Sequence, residues 1–164
     1  MQTLFYGYGN PGRRDDGLGV AFVEALEEYV REKNIPDIDF DSNYQLNIED
    51  ADTISRYDRV FFCDATTEPI KDFCITEVSP SEARVEFTMH AVSPAFVLNL
   101  CRKIYDRSPD TYLIHLKGHD WEFREGPGEK GIKSLEKALT FFKNHLPLLN
   151  RQATSSLRKI LCTP

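Results

Sequence analysis

The 164-residue sequence predicts an α/β fold: one three-layer αβα domain around a mostly parallel, twisted sheet of about five strands. Three observations predict it. Short apolar runs at Thr3–Tyr6, Val60–Cys63 and Tyr112–Leu116 read as buried strands. Between them lie stretches with apolar residues at three- and four-residue spacing, which read as amphipathic helices. The two kinds alternate, and alternating β and α elements pack as helices on both faces of a parallel sheet.

The elements follow in order. Thr3–Tyr6 is a strand that ends in glycines. Leu18, Phe22, Leu26 and Tyr29 recur at helical spacing, so residues 16–32 form a helix. Ile38 and Phe40 alternate with Asp37, Asp39 and Asp41, which suits an exposed or edge strand. Asn47 caps a helix with Ile48, Ala51 and Ile54 on one face. Val60–Cys63 is the second buried strand, and Asp64 stands at its C-terminal end. Residues 72–78 form a further strand and 84–88 another piece. Ser93-Pro94 is a cap followed by proline in the first turn. That helix carries the stripe Val97, Leu100, Cys101 and Ile104. Tyr112–Leu116 is the last strand. Ile132, Leu135, Leu139 and Phe142 give a final helix that ends before Pro147. One domain thus spans 1–147. The basic tail, 148–164, has Arg151, Arg158 and Lys159 but no acid, and reads as loosely ordered.

Composition excludes several classes. Twenty Lys and Arg against 26 Asp and Glu leave a charge of −6, which disfavours a nucleic-acid partner. Apolar residues at 41% supply a core and argue against disorder. No apolar run approaches the roughly 20 residues of a membrane span. The N-terminus, MQTLFYGYGN, is no signal peptide, so the expected location is the cytoplasm. The cysteines, Cys63, Cys74, Cys101 and Cys162, form no CxxC pair and read as free or buried thiols.

The segment Gly7-Tyr8-Gly9-Asn10-Pro11-Gly12 matches GxGxxG after a strand. A dinucleotide fingerprint opens directly into a helix that holds the pyrophosphate. Here Arg13–Gly17 intervenes, and two carboxylates sit where phosphates would lie. The minimal reading is a turn that needs glycine.

Ligands of open α/β sheets bind beyond the C-terminal strand ends. Asp15 and Asp16 follow the first strand there, and Asp64 follows the second apolar run. Each also has a local reading: Asp64 as a turn cap, Asp15 as a helix cap, Asp16 as a partner of the helix dipole. His90 precedes the Ser93 cap, and a helix N-terminus helps keep its imidazole neutral. Two carboxylates and a neutral imidazole suit a divalent first-row metal. His115 and His145 read as packing or surface. His119, with Trp121 and Phe123, borders the crevice or packs on it.

These residues together resemble a known family. GYGNPGRRDDGLG at 7–19, before an amphipathic helix, is similar to the N-terminal signature of the nickel-iron hydrogenase maturation proteases. FFCDA at 61–65 and HAVSPAFVLNL at 90–100 resemble the family's second and third ligand motifs. Tyr44–Glu49 and His119–Gly126 resemble segments of one branch, so the likeness spans roughly residues 1–145. Residue 16 is Asp where some members carry Glu, and the Gly-Gly of some members is replaced by Ser42–Gln45.

The resemblance implies a phosphorylase/hydrolase-like αβα fold and an endopeptidase. Its expected task is removal of the C-terminal extension of a hydrogenase large-subunit precursor after nickel insertion. It implies Asp16, Asp64 and His90 as metal-binding and catalytic residues, and Gly9, Asn10 and Gln45 as the substrate-facing ones. The metal is the nickel of the substrate, with no organic cofactor. The partner is the precursor alone, with no nucleic acid and no membrane, and the enzyme is a monomer. Three alternatives compete: a nucleotide-binding oxidoreductase, a non-catalytic precursor-binding module, and a thiol protease built on Cys63.

Overall fold

The computed structural model describes residues 1–82 and 92–149. His90, the expected strand piece 84–88, Cys162 and the tail from residue 150 lie outside the described residues.

The described chain runs β1 (Thr3–Tyr8), a 3-10 turn (Arg14–Gly17), α1 (Leu18–Lys33), β2 (Ile38–Asn43), α2 (Asp50–Ile54), β3 (Arg59–Thr66), β4 (Phe73–Glu77), α3 (Pro94–Tyr105), β5 (Asp110–Lys117) and α4 (Glu129–Leu149). The strands form one sheet in the order β2-β1-β3-β5-β4. β4 alone is antiparallel, on β5. β1 lies between β2 and β3, so the glycines after it open near the middle of the sheet's C-terminal edge. This is the expected α/β class.

Strand residues alternate between two cores, as a pleat demands. On the face of α1 and α4, Phe5 stacks on Phe61 at 4.8 Å and Phe61 on Tyr112 at 5.2 Å. Phe142 of α4 meets Phe5 and Phe61 edge-on, at 5.7 Å from each. Such aromatic pairs add about 1 kcal/mol each beyond the area they bury. On the other face, Leu4, Tyr6, Val60 and Phe62 pack against Leu46, Ile54, Val97 and Cys101 from the α2 and α3 side. Ser93 caps α3 as expected, its hydroxyl accepting the Phe96 N–H at 3.1 Å.

Four local expectations are corrected. The final helix does not stop before Pro147; α4 continues through it to Leu149. Leu146 and Leu149 are buried, and the buried Arg59 guanidinium donates to the Leu149 carbonyl at 2.6 Å. Packing and a cation on the carbonyl end outweigh the one helical bond that proline removes. Second, β3 does not end at Cys63, because β5 keeps pairing with it to Thr66↔Lys117. Asp64 therefore sits within the strand. Third, Ile48, Ile104 and Ile132 are 55%, 63% and 40% exposed, so those helical stripes bury less than their spacing suggested. Fourth, Asn47 is not the helix cap: Glu49 holds that position without a side-chain cap bond, and the Asn47 side chain donates to the Gln45 carbonyl. The buried Asp50 carboxylate accepts the Asn47 N–H at 2.7 Å, within the turn that leads into α2. Among the described residues no helix is long and apolar enough to cross a membrane.

Candidate active site

The site is built on a close approach of backbone to backbone. β1 leaves the sheet at Tyr8, and Gly9 follows at φ +132°. A Cβ on Gly9 would overlap the Asp16 carbonyl oxygen. A Cβ on Gly19 would overlap the Cys63 carbonyl. The two glycines thus let the 3-10 turn and the start of α1 lie directly on β1 and β3. Asp16, on that turn, is thereby brought close enough to Asp64 for its charge to act there.

The two neighbouring acids of the turn separate into different tasks. Asp15 is 0% exposed. Its carboxylate accepts the backbone N–H groups of His119 (2.7 Å), Asp120 (3.0 Å) and Gly128 (2.7 Å). It is neither the helix cap nor a ligand; it ties residues 118–128 to the turn. Arg14 strengthens the tie through Asp120 at 3.4 Å. Arg13 donates to the Trp121 carbonyl and lies over the exposed Phe123 ring. His119 is itself exposed.

Asp16 is partly exposed, and its Oδ2 accepts the Asn10 N–H at 3.1 Å. The Asn10 side chain accepts the Gly12 N–H at 2.9 Å, so Asn10 shapes the loop that holds Asp16. Beside it a groove of about 250 Å³ is lined by Gly9, Pro11, Val20, Ser42, Asn43 and Tyr44. Gln45 follows that wall in sequence and is exposed.

Asp64 projects on the same side of the sheet as Phe62. Burial pushes its carboxyl up from 3.8 to about 7, and the charge of Asp16 pushes in the same direction. Hydrogen bonds from the Tyr8 hydroxyl and the Ala65 N–H oppose the shift. Burial, reinforced by Asp64, raises the Tyr8 phenol well above its ordinary value. Tyr8 escaped the sequence reading because it sat inside a glycine pattern. The parallel register Gly7↔Cys63, which puts it beside Asp64, exists only once the strands pair.

The arrangement can hold a cation. Among the described residues neither Asp16 nor Asp64 forms an ion pair with Lys or Arg. Two carboxylates near enough for the charge of one to act on the other, with no Lys or Arg paired to either, suit a divalent metal. Among the described residues no three metal-binding side chains come together, and His90 is not one of those residues.

Two alternatives lose ground. The Cys63 thiol is fully buried in the α1/α4 core, and burial, with Asp64 next to it, raises it well above its ordinary value. That is the opposite of an activated thiolate. α1 begins only at Leu18, and the turn before it carries Asp15 and Asp16 in its first residues. A pyrophosphate would meet carboxylates there. His115 binds Thr76 at 2.8 Å, and His145 stacks on Phe141 at 4.3 Å, as packing residues.

No family model matches the sequence, and no curated protein matches it. Solved structures do. The [NiFe] hydrogenase maturation protease HycI from Thermococcus kodakarensis KOD1 superposes with a TM-score of 0.71 at 21% identity, over 89% of this chain and 92% of that one. The hydrogenase maturating endopeptidase HybD from E. coli gives 0.65 at 22%, over 85% and 88%. The hydrogenase 2 maturation peptidase from Thaumarchaeota archaeon SCGC_AB-539-E09 gives 0.62 at 19%, over 90% and 99%. This chain therefore has the fold of the solved hydrogenase maturation proteases, across most of its length and of theirs.

Proposed function

We propose that this chain is an endopeptidase that removes the C-terminal extension from a nickel-iron hydrogenase large-subunit precursor once nickel is in place. The observation that carries the reading is the close backbone approach at Gly9 and Gly19, which lays the Asp16 turn against β1 and the Cys63–Asp64 end of β3, within the fold of named maturation endopeptidases. Asp16, Asp64 and His90 recognise the substrate's nickel. A metal so held supplies Lewis-acid polarisation of a nearby peptide carbonyl or activates a water.

The chain's own contribution is placement. The backbone of Asn10 holds the Asp16 carboxylate. Gly9 keeps one wall of the adjoining groove free of side chain, which leaves room for an extended tail. Asn10 and Gln45 border its path. The enzyme carries no organic cofactor and works as a monomer in the cytoplasm.

The test is incubation of the purified chain with nickel-loaded precursor. Shortening of the large subunit is expected; its absence overturns the proposal. His90→Ala should fold with an unchanged circular dichroism spectrum and fail to process. Processing at the wild-type rate would remove His90 from the site.

A further inference from the structure

We propose that Phe123 is a docking residue, whose exposed ring seats in an apolar hollow on the folded surface of the large-subunit precursor. The inference rests on the function proposed above and deepens it, by naming a part of this chain that grips the precursor outside the metal site.

Among the described residues Phe123 is the most exposed large apolar side chain, at 85%. It is nevertheless held still. Arg13 lies over its ring, 5.4 Å from the centroid, and the Arg13 Nε donates to the Trp121 carbonyl at 3.1 Å. Backbone bonds pin the loop on both sides of the ring. Asp15 N–H donates to the Asp120 carbonyl at 3.0 Å, and Arg14 N–H to the Arg124 carbonyl at 2.8 Å. Gly126 N–H donates to the Pro11 carbonyl at 3.3 Å, and the Asp15 carboxylate adds its three bonds to the loop. A Phe side chain contributes to a fold by removing about 150–250 Å² from water, and this one stays in water. Its area is used only on contact with a partner. Aromatic and arginine side chains dominate binding at interfaces, and a ring fixed beforehand loses little entropy on docking.

The place of the ring selects the partner. The Arg13 carbonyl accepts the Asp16 N–H at 3.0 Å, so the ring's support and Asp16 stand on one 3-10 turn, about 6 Å apart along its axis. A nickel held in a folded precursor reaches Asp16 only when the surface around that nickel rests on the rim of the site. Arg13 and Phe123 belong to that rim. Beside the loop lies a hollow of about 730 Å³, lined by Arg14, His119, Glu122, Pro127 and Ile132 among others. Ile132, 40% exposed, offers a second apolar contact there. Trp121, by contrast, turns its ring onto Gly118.

The test compares wild type, Phe123→Ala, Phe123→Trp and Ile104→Ala. Ile104 is 63% exposed on α3, on the other face of the sheet from α1 and α4. Three readouts are needed: KM and kcat on nickel-loaded precursor, the Kd for nickel-free precursor by titration calorimetry, and the mass of the free chain by sedimentation. Phe123→Ala should raise KM and Kd roughly 30-fold. It should leave kcat within about threefold, as loss of uniform binding does. Its melting temperature should stay close to that of wild type, because the ring is exposed. Phe123→Trp should bring both constants back to within about fivefold of wild type, and Ile104→Ala should match wild type. Equal KM and Kd in wild type and Phe123→Ala would overturn the inference while the proposed function stands. So would equal losses in Ile104→Ala, which would mark a general surface effect. A wild-type dimer that comes apart in Phe123→Ala would also overturn it, since a second copy of this chain would then cover the ring. A wild type that binds the precursor through Phe123 yet never shortens it overturns the proposed function alone. One that neither binds nor shortens the precursor overturns both.

Discussion

The carboxylate of Asp15 accepts the backbone N–H of Gly128 at 2.7 Å, joining the turn before α1 to the loop before α4. His119 and Asp120 donate to the same side chain. A Cβ on Gly131 would overlap this carboxylate, so α4 itself begins against it. One buried acid thereby sets the distance between the first and last segments of the site.

Asp15→Asn should consequently loosen that loop. An amide turns an N–H₂ toward backbone donors, and hydrogen bonds to a charged acceptor are worth about 1.5–3 kcal/mol each. Since neighbouring bonds do not add fully, the expected loss is about 3 kcal/mol, or roughly 6–12 °C in Tm. Hydrogen exchange at 118–128 should accelerate more than in the β1–β3 core. Uniform acceleration across the chain would contradict a local tie.

Asp64 gives the protein a pH-dependent stability with a definite sign. Its carboxyl is pushed up to about 7 from 3.8, so the folded chain keeps a proton that the unfolded chain releases. The stabilisation is full below about pH 4 and is lost as pH rises through about 7. Asp64→Asn removes it. Relative to wild type, the variant should gain on the order of 2–3 kcal/mol between pH 5 and pH 8. Urea unfolding of both proteins at the two pH values measures the difference, and parallel pH profiles would refute the burial.

Cys63→Ala should process precursor at a rate within about threefold of wild type. The thiol is buried and its pKa raised, so its loss costs packing, about 1–2 kcal/mol, and no chemistry. A rate loss of two orders of magnitude or more, in a variant that still folds, would identify Cys63 as the nucleophile.

Arg59→Met tests the end of α4. Arg59 is 1% exposed, donates to the Leu149 carbonyl at 2.6 Å and faces Asp110 at 3.4 Å. Removing it leaves a buried carbonyl without its donor, at about 2–4 kcal/mol. Proteolysis should then cut near residue 149 faster than in wild type, while the β1–β3 core stays protected. An unchanged Tm would show that water replaces the guanidinium at no cost.

Much of this was legible in advance for a local reason. The strands at Thr3, Val60 and Tyr112 and the Ser93 cap express themselves within a few residues, through apolar runs and one capping bond. Errors arose where distant packing overruled a local rule. Pro147 is carried inside α4 because Arg59, far away in sequence, holds the helix end. β3 is extended by the partner that β5 supplies.

By itself the sequence determined the fold class, the glycine turn and the acids from which a site could be drawn, since periodicity and residue type are local properties. Only the tertiary structure decided what each acid does. Asp15 and Asp16 are adjacent and chemically identical, yet one is enclosed by three backbone donors and the other stands beside Asp64. Tyr8 entered the site by the same route, through strand register. Burial and partners come from segments that meet only after folding, and they set a carboxylate's charge and task.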